Sequence, residues 1–493
     1  MSDFYSVRIL PEDVTLRAKG GDNLYELLRS AGLAPEAFCG GNGRCGKCTV
    51  TVNGVEALSC RTAVDRDLCV TVPRRDGVRV LTGTVAEAVP ASGALDGGLF
   101  LSFDIGTTTV VCFLLDAAGR VLASAGDLNP QVVYGADVVS RLRSASAGTL
   151  GEQSRLIREC MARLIERVCG EAGADAGCVR AISVVGNPTM QQLFLGLDVT
   201  NLVTIPFTPA LRQCDRSSAG ELFPACPDAV LLTVPDVSGY VGADTVACVL
   251  STEMYARDAL TLLIDIGTNG EMVLGGKERL VTCATAAGPA LEGANIRFGM
   301  RSTEGAIDRV FLENSAVRCH VIGGGRAKGI CGSGLIDAVA VFLELGRLDR
   351  RGRILPTGEE TLPLTDGVFL TQEDIREVQL AKSAVASGIR LMAEETGADL
   401  NAVETVYLAG AFGSFLSPDS ACRIGLLPEE LAGRIRAVGN AAGAGACRIA
   451  CSEAQFRMTE ELAGRMELLE LASLPGFRTQ FAKNMYFDTA GRA

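Results

Sequence analysis

Tryptophan is absent from this chain of 493 residues, histidine occurs once, at His320, and aromatic residues make up only 5%. A single imidazole excludes a multi-histidine metal cage and leaves little room for a Ser–His–Asp relay. No uncharged apolar run reaches the length of a membrane-spanning helix, so no membrane span is expected. The 46 Lys and Arg are outnumbered by 58 Asp and Glu, giving a net charge of −12. With no basic block anywhere, nucleic-acid binding is not expected. The opening MSDFYSVRIL lacks the apolar stretch of a secretion signal. A cytoplasmic protein with a large buried core is the expectation, and the mean hydropathy of +0.26 agrees.

Cysteine, by contrast, is abundant, with 18 in the chain. That number in a secreted domain would predict disulfides, but the length and the missing signal argue otherwise. Most of these residues, such as Cys112, Cys248 and Cys447, sit alone in apolar segments and read as small buried hydrophobes. Free thiols at this density fit a reducing, anaerobic cytoplasm.

Four cysteines form a pattern. Cys39, Cys45, Cys48 and Cys60 are spaced C-x5-C-x2-C-x11-C within FCGGNGRCGKC and the later LSC. Three thiolates in a loop carrying Gly40, Gly41, Gly43 and Gly46 can surround one small inorganic core. The glycines allow positive φ and bring backbone N–H groups towards sulfur. The layout resembles a plant-type [2Fe–2S] ferredoxin loop with one extra residue in the first gap. A four-cysteine zinc site is the alternative, but zinc knuckles pair two C-x2-C units and only one is present. Cys69 is a substitute candidate for the fourth ligand.

Around this loop, SVRILPEDVTLRA reads as two strands about a turn at Pro11-Glu12-Asp13. Asp22 is placed to cap a helix through Leu24, Leu27 and Leu28 that ends at Gly32. CTVTVNGVEALSC reads as strand, Asn53-Gly54 turn, strand. The order resembles the β-grasp fold of such ferredoxins, over residues 1–75. Residues 76–98 lose periodicity and gain Gly, Ala, Ser and Pro, the composition of a linker.

From Leu99 the chain repeats itself. LFLSFDIGTTTVVCFLL returns as TLLIDIGTNGEMVLGG, the two aspartates, Asp104 and Asp265, lying 161 residues apart. Each copy is an apolar strand, D-I-G-T and a second strand, so each D-I-G-T is expected at a hairpin tip. Gly106 and Gly267 let the backbone approach a phosphate, and Thr107, Thr108, Thr109, Thr268 and Asn269 supply donors. Asp104 and Asp265 are candidates for holding Mg²⁺ through water. Two such hairpins facing each other would clamp one triphosphate. They resemble the superfamily of sugar kinases, actin and heat-shock chaperone ATPases. In that superfamily a glycine pair such as Gly410 and Gly413, in VETVYLAGAFGSFLSP, lies against adenosine. Glu271 and Asn187 are candidates for polarising the attacking water. The segment 329–342 reads as a tight turn opening a buried helix.

The fold expected is therefore α/β multidomain. A β-grasp [2Fe–2S] domain (1–75) and a linker (76–98) precede duplicated actin-like, ribonuclease H-like ATPase lobes (99–250 and 251–487). This combination resembles the reductive activators of corrinoid proteins. DIGTTTV, VVGNPTMQQLFLG, IDIGTNGE, GICGSGLIDAV, YLAGAFG, VGNAAGAGA and the tail MELLELASLPGFRTQFAKNMYF carry the resemblance. Many such activators have an extra middle domain, where this chain has only some twenty residues of linker. The resemblance implies a [2Fe–2S] cluster, ATP and Mg²⁺ as cofactors. It implies a corrinoid protein or methyltransferase and an electron donor as partners, and a homodimer. The activity implied is ATP-dependent reduction of inert Co(II) to Co(I). Rival readings are an activator of another low-potential enzyme, a small-molecule kinase, and a redox-sensing actin-like module.

Overall fold

The computed structural model describes residues 4–31, 33–35, 41, 43, 48–73, 98–356, 358–413 and 415–487. In the N-terminal domain β1 (Phe4–Leu10) and β2 (Val14–Lys19) form the expected hairpin, followed by α1 (Leu24–Ser30), β3 (Thr49–Val52), β4 (Val55–Leu58) and β5 (Leu68–Thr71). The sheet order is β2-β1-β5-β3-β4, with β1 and β5 parallel. This mixed sheet with a helix across it is the β-grasp arrangement. Asn53 and Gly54 both have positive φ, as a two-residue hairpin turn requires. One local expectation fails. The helix is capped by Asn23, whose side chain accepts from the amides of Tyr25 and Glu26. Asp22 instead accepts from the Lys19 amide at 2.7 Å. Gly32 and most of the linker lie outside the described residues.

The first lobe contains β6 (Leu99–Ile105), β7 (Thr109–Leu115), β8 (Val121–Leu128), α2 (Val138–Ser144), α3 (Leu150–Ala172), β9 (Val179–Gly186), α4 (Pro188–Leu195), α5 (Thr200–Val203), β10 (Asp215–Ser218), β11 (Val230–Thr233) and α6 (Ala243–Thr252). Its sheet runs β10-β11-β9-β6-β7-β8. Ile157, Cys160, Met161, Leu164, Ile165 and Val168 recur at helical spacing and bury one face of α3. Each such aliphatic side chain contributes about 1.5–3 kcal/mol on burial.

The second lobe begins with β12 (Thr261–Ile266), β13 (Gly270–Gly275) and β14 (Leu280–Thr285). Next come β15 (Ala306–Glu313), β16 (Ala316–Val321), β17 (Gly329–Ile330), α7 (Gly332–Glu344), β18 (Thr361–Thr365), β19 (Val368–Thr371) and α8 (Gln372–Thr396). The chain continues through β20 (Thr405–Ala409), α9 (Gly410–Gly413), α10 (Pro418–Arg423), β21 (Ile435–Gly439), α11 (Ala441–Cys451), α12 (Glu453–Arg465), β22 (Met466–Leu468) and α13 (Phe477–Asn484). The main sheet runs β21-β20-β12-β13-β14-β22. Around each D-I-G-T strand the pairing is the same. β9 and β20 run parallel to β6 and β12, and β7 and β13 run antiparallel to them. The duplication seen in the sequence is therefore a duplication of topology.

Two helices join the lobes. α6 follows the first sheet and α11 follows β21 of the second, and they pack against each other. At Gly445 a Cβ would lie 2.2 Å from the Ala247 carbonyl oxygen, so only glycine admits this approach. Ser183 donates to the Ala446 carbonyl at 2.7 Å, tying α11 to the first sheet. One core takes in Val111, Phe113, Leu263, Val273 and the inner faces of both helices. Near the C-terminus the buried Lys382 of α8 donates to the Tyr486 carbonyl at 2.7 Å, and Phe487 is fully buried.

Candidate functional site

Hydrophobic strands drive both D-I-G-T turns to the same place, the open end of the two sheets. The cleft between them, about 260 Å³, is lined by Asp104, Gly106, Thr107, Thr108, Thr109, Asp265, Gly267, Thr268, Asn269, Glu271 and Gly410. Every nucleotide-site residue expected from the sequence is thus brought together except Gly413. That glycine packs behind the strand, where a Cβ would lie 2.9 Å from Leu408 Cγ. Gly410 has φ +87°, and a Cβ there would lie 2.6 Å from Asp265 Oδ1. The half-exposed Phe415 also lines the cleft.

One wall is acidic. Asp265 pairs with Glu271 across the second hairpin. Asp244, at the start of α6, lies on the same wall. Burial pushes the Asp104 carboxyl up to about 7; a hydrogen bond from Asn440 opposes the rise and the charge of Asp265 adds to it. Burial raises Asp244 and Glu271 as well; repulsion from Asp265 adds to the first, and repulsion from Asp244 and then Asp265 adds to the second. Asp265 is raised by burial, with Cys248 as its hydrogen-bonding neighbour, Sγ to Oδ2 3.5 Å. Among the described residues no three such groups converge into a ready metal cage. The wall suits a hydrated Mg²⁺ carried in with a nucleotide, its charge relieving the crowded carboxylates.

The other wall carries hydroxyls, with a guanidinium buried behind it. Arg141 of α2 is fully buried and its Nη2 donates to the Thr107 carbonyl at 2.6 Å. Burial lowers its pKa to about 9, and it remains cationic at neutral pH. Asn187, the N-cap of α4, donates to Thr107 Oγ1 at 3.2 Å and accepts from the Met190 amide. Its amide is spent holding the first loop. Thr108 and Thr268 each donate to Glu292 Oε2 at 3.0 Å. Asp244, Glu292, Asn440 and Arg141 are site residues that sequence reading missed. The Gly-rich VGNAAGAGA around Asn440 was the one visible pointer; Asp244, Glu292 and Arg141 carry no such local signal.

In the N-terminal domain the Cys48 and Cys60 Sγ atoms lie 3.1 Å apart. Asn23 donates to the Cys60 carbonyl at 2.9 Å, so the residue that caps α1 also fixes this cysteine. Gly41 and Gly43 have φ of +87° and +73°, and a Cβ at Gly41 would lie 2.5 Å from the Tyr25 ring. The paired thiols and positive-φ glycines fit an iron–sulfur cluster. Cys39, Cys45, Gly40 and Gly46 lie outside the described residues. Cys69 lies apart from Cys48. It is exposed on β5 and its amide bonds Asn53, at the far end of β3 from Cys48. The cysteine domain also touches the first lobe, where Arg29 donates to the Val133 carbonyl at 3.2 Å and its guanidinium faces the Tyr134 ring. The linker is therefore not the sole connection.

Three family models match in order along the chain. They are the 2Fe-2S iron-sulfur cluster binding domain at 7–74, the RACo middle region at 99–257, and the C-terminal domain of RACo, the ASKHA domain, at 259–492. The region called middle in that family thus falls on the first lobe itself. The corrinoid activation enzyme RamQ of Eubacterium limosum is 34% identical over 78% of this chain and 70% of its own length. The [Co(II) methylated amine-specific corrinoid protein] reductase of Methanosarcina barkeri is 26% identical over 66% of this chain and 65% of its own. A solved structure, the reductive activator for corrinoid,iron-sulfur protein, is 28% identical and superposes with a TM-score of 0.72 over 98% of both chains. With its cysteine domain and both lobes accounted for in order, the chain belongs to the RACo family of corrinoid reductive activators.

Proposed function

We infer that this protein is an ATP-dependent reductive activator that returns the inert Co(II) of a corrinoid protein or corrinoid methyltransferase to Co(I). The observation that carries the reading is the presence, in one chain, of neighbouring cysteines in a ferredoxin fold and a two-lobed cleft with one hydroxyl-bearing and one carboxylate wall. The names of its relatives point the same way. When bound, a plant-type [2Fe–2S] cluster supplies a one-electron carrier near −400 mV. Cys39, Cys45, Cys48 and Cys60 would hold it. Reduction of a corrinoid to Co(I) is more demanding, and each ~60 mV of deficit costs a factor of ten for one electron.

ATP supplies the difference in this reading. Asp104 and Asp265 hold the nucleotide's hydrated Mg²⁺. Thr107, Thr108 and Thr268 bond phosphate oxygens, and Arg141 stiffens the first loop while offering its charge. Gly410 admits the nucleoside beside Phe415. Glu271 and Asp244 are the carboxylates placed to take a proton from the attacking water. Burial raises both, which makes each a stronger base once it is ionised. The nucleotide must favour the productive complex with the partner over the unproductive one, since only a differential interaction shifts that equilibrium. The carrier domain takes its electron from a donor and passes it to the corrinoid, in a reducing cytoplasm.

An anaerobic mixing experiment tests this. The dithionite-reduced protein is combined with a Co(II) corrinoid protein and ATP, and the electron paramagnetic resonance signal of the reduced cluster is followed. Loss of that signal in step with loss of the Co(II) signal supports the reading. A cluster that stays reduced beside unchanged Co(II) contradicts it.

A further inference from the structure

Glu292 stands where an anion would be expected. Its Oε2 accepts from Thr108 of the first hairpin and Thr268 of the second, both at 3.0 Å. These are hydroxyls that the sequence assigns to phosphate oxygens. Its Oε1 lies over Gly267, 3.9 Å from where a Cβ would be. The cationic side chains that favour its charge are Arg301 and Arg141, the latter bonded to the first loop. A carboxylate held by one hydroxyl from each hairpin, beside two guanidinium groups, has the surroundings of a bound phosphate group.

Ala290 and Leu291 of its turn are buried and Gly293 packs on the Met300 backbone, so it is the carboxylate that can swing away, about its own side-chain bonds. Glu292 ends the single turn Pro289–Glu292, flanked by Gly288 at φ +77° and Gly293 at φ +83°. Nothing lies within 4 Å of a Cβ built at Gly288. The same turn leads to Met300, Arg301, Ser302 and Thr303, which also line the cleft.

We propose that Glu292 occupies a phosphate position in the nucleotide-free protein and is displaced when ATP binds, so that it sets affinity for the phosphate chain. This rests on the reading of the cleft as an ATP site. A triphosphate and this carboxylate compete for the same two hydroxyls and repel each other. Displacement passes their bonds to the nucleotide. Adenosine has no phosphate and leaves Glu292 in place.

Titration calorimetry on the full-length, cluster-loaded protein with Mg²⁺ tests this, using ATP and adenosine as ligands. Glu292→Gln removes the charge and Glu292→Ala removes the occupant. The expected result is a Kd for ATP at least about tenfold lower in both variants, the scale of relieving one close like-charge repulsion, with the Kd for adenosine unchanged. An unchanged or higher Kd for ATP with normal adenosine binding overturns the proposal. Loss of both ligands together also overturns it, because Glu292 would then hold the cleft together rather than fill it. A wild-type protein that binds no ATP fails the underlying reading instead, and the proposal with it.

Discussion

Asn440 donates to Asp104 Oδ2 at 2.9 Å, across 336 residues of chain. The asparagine sits at the junction where β21 of the second sheet passes into α11, and its Oδ1 accepts from the Gly443 amide to cap that helix. One side chain therefore fixes both the start of the helix that crosses between lobes and the carboxylate at the tip of the first hairpin. A change in lobe angle carried by α11 would alter the setting of Asp104.

The acidic wall predicts a pH dependence. Asp104 titrates near 7 in the folded protein against 3.8 in its ordinary state. The native state thus holds its proton where the unfolded chain has lost it. By linkage this group lowers the stability of the nucleotide-free protein as pH rises from about 4 to about 7. In the proposed site Asp104 faces Mg²⁺ in its ionised form, so Mg·ATP binding is predicted to strengthen over the upper part of that window. Asn440→Ala removes a hydrogen bond that favours the carboxylate and shifts the midpoint of Mg·ATP binding to higher pH. Binding isotherms for both proteins between pH 6 and 8 check this; coincident midpoints count against it.

Removing a carboxylate from the site tests its chemistry. Asp265→Ala should cut ATP turnover by about 10²-fold or more, on the scale of losing one electrostatic contribution to catalysis. The buried Cys248 loses its hydrogen-bond acceptor but stays folded in α6, so thermal stability should change little compared with activity. Steady-state phosphate release at normal rates would remove Asp265 from the machinery.

Gly410 offers a backbone test. Its φ of +87° and the 2.6 Å gap between a Cβ and Asp265 Oδ1 mean that Gly410→Ala strains the turn and pushes on the carboxylate. Left-handed strain alone is about 1–2 kcal/mol. Nucleotide affinity should fall at least tenfold. Gly413→Ala presses on Leu408 behind the strand, so it should lower the melting temperature more than the affinity. Equal effects of the two changes on ATP binding would contradict this assignment.

The cluster ligands separate the two halves of the activity. Cys48→Ala and Cys60→Ala should each abolish electron delivery, while ATP turnover by the two lobes is largely retained. Iron analysis of the wild-type chain should give two irons per chain; four would contradict a single [2Fe–2S] cluster.

Much of this was legible in the chain because local chemistry dictated it. Apolar strands ending in D-I-G-T announce hairpins, and a two-residue Asn53-Gly54 turn announces its strands. The cysteine spacing names its cluster type. What was hidden depends on contacts between distant elements. Arg141 bonds to Thr107 only because α2 folds back under the first loop. Asp244 enters the cleft because α6 starts there. Glu292 reaches both hairpins from a single turn of 3-10 helix with no sequence signature of its own. Even the cap of α1 was misplaced by one residue, because Asn23 also bonds the Cys60 carbonyl, a long-range contact that the local sequence does not advertise.

The central claim is that ATP drives the electron to cobalt, and one anaerobic experiment addresses it directly. The protein, an excess of a low-potential donor and a Co(II) corrinoid protein are mixed with ATP, with a non-hydrolysable analogue, or with no nucleotide, and the Co(I) absorption band is recorded. The same three mixtures are repeated with Asp265→Ala. The account predicts that Co(I) accumulates only in the wild-type mixture with ATP, and that ATP turnover there rises with partner concentration. Co(I) forming equally well without ATP, or with Asp265→Ala, would contradict it.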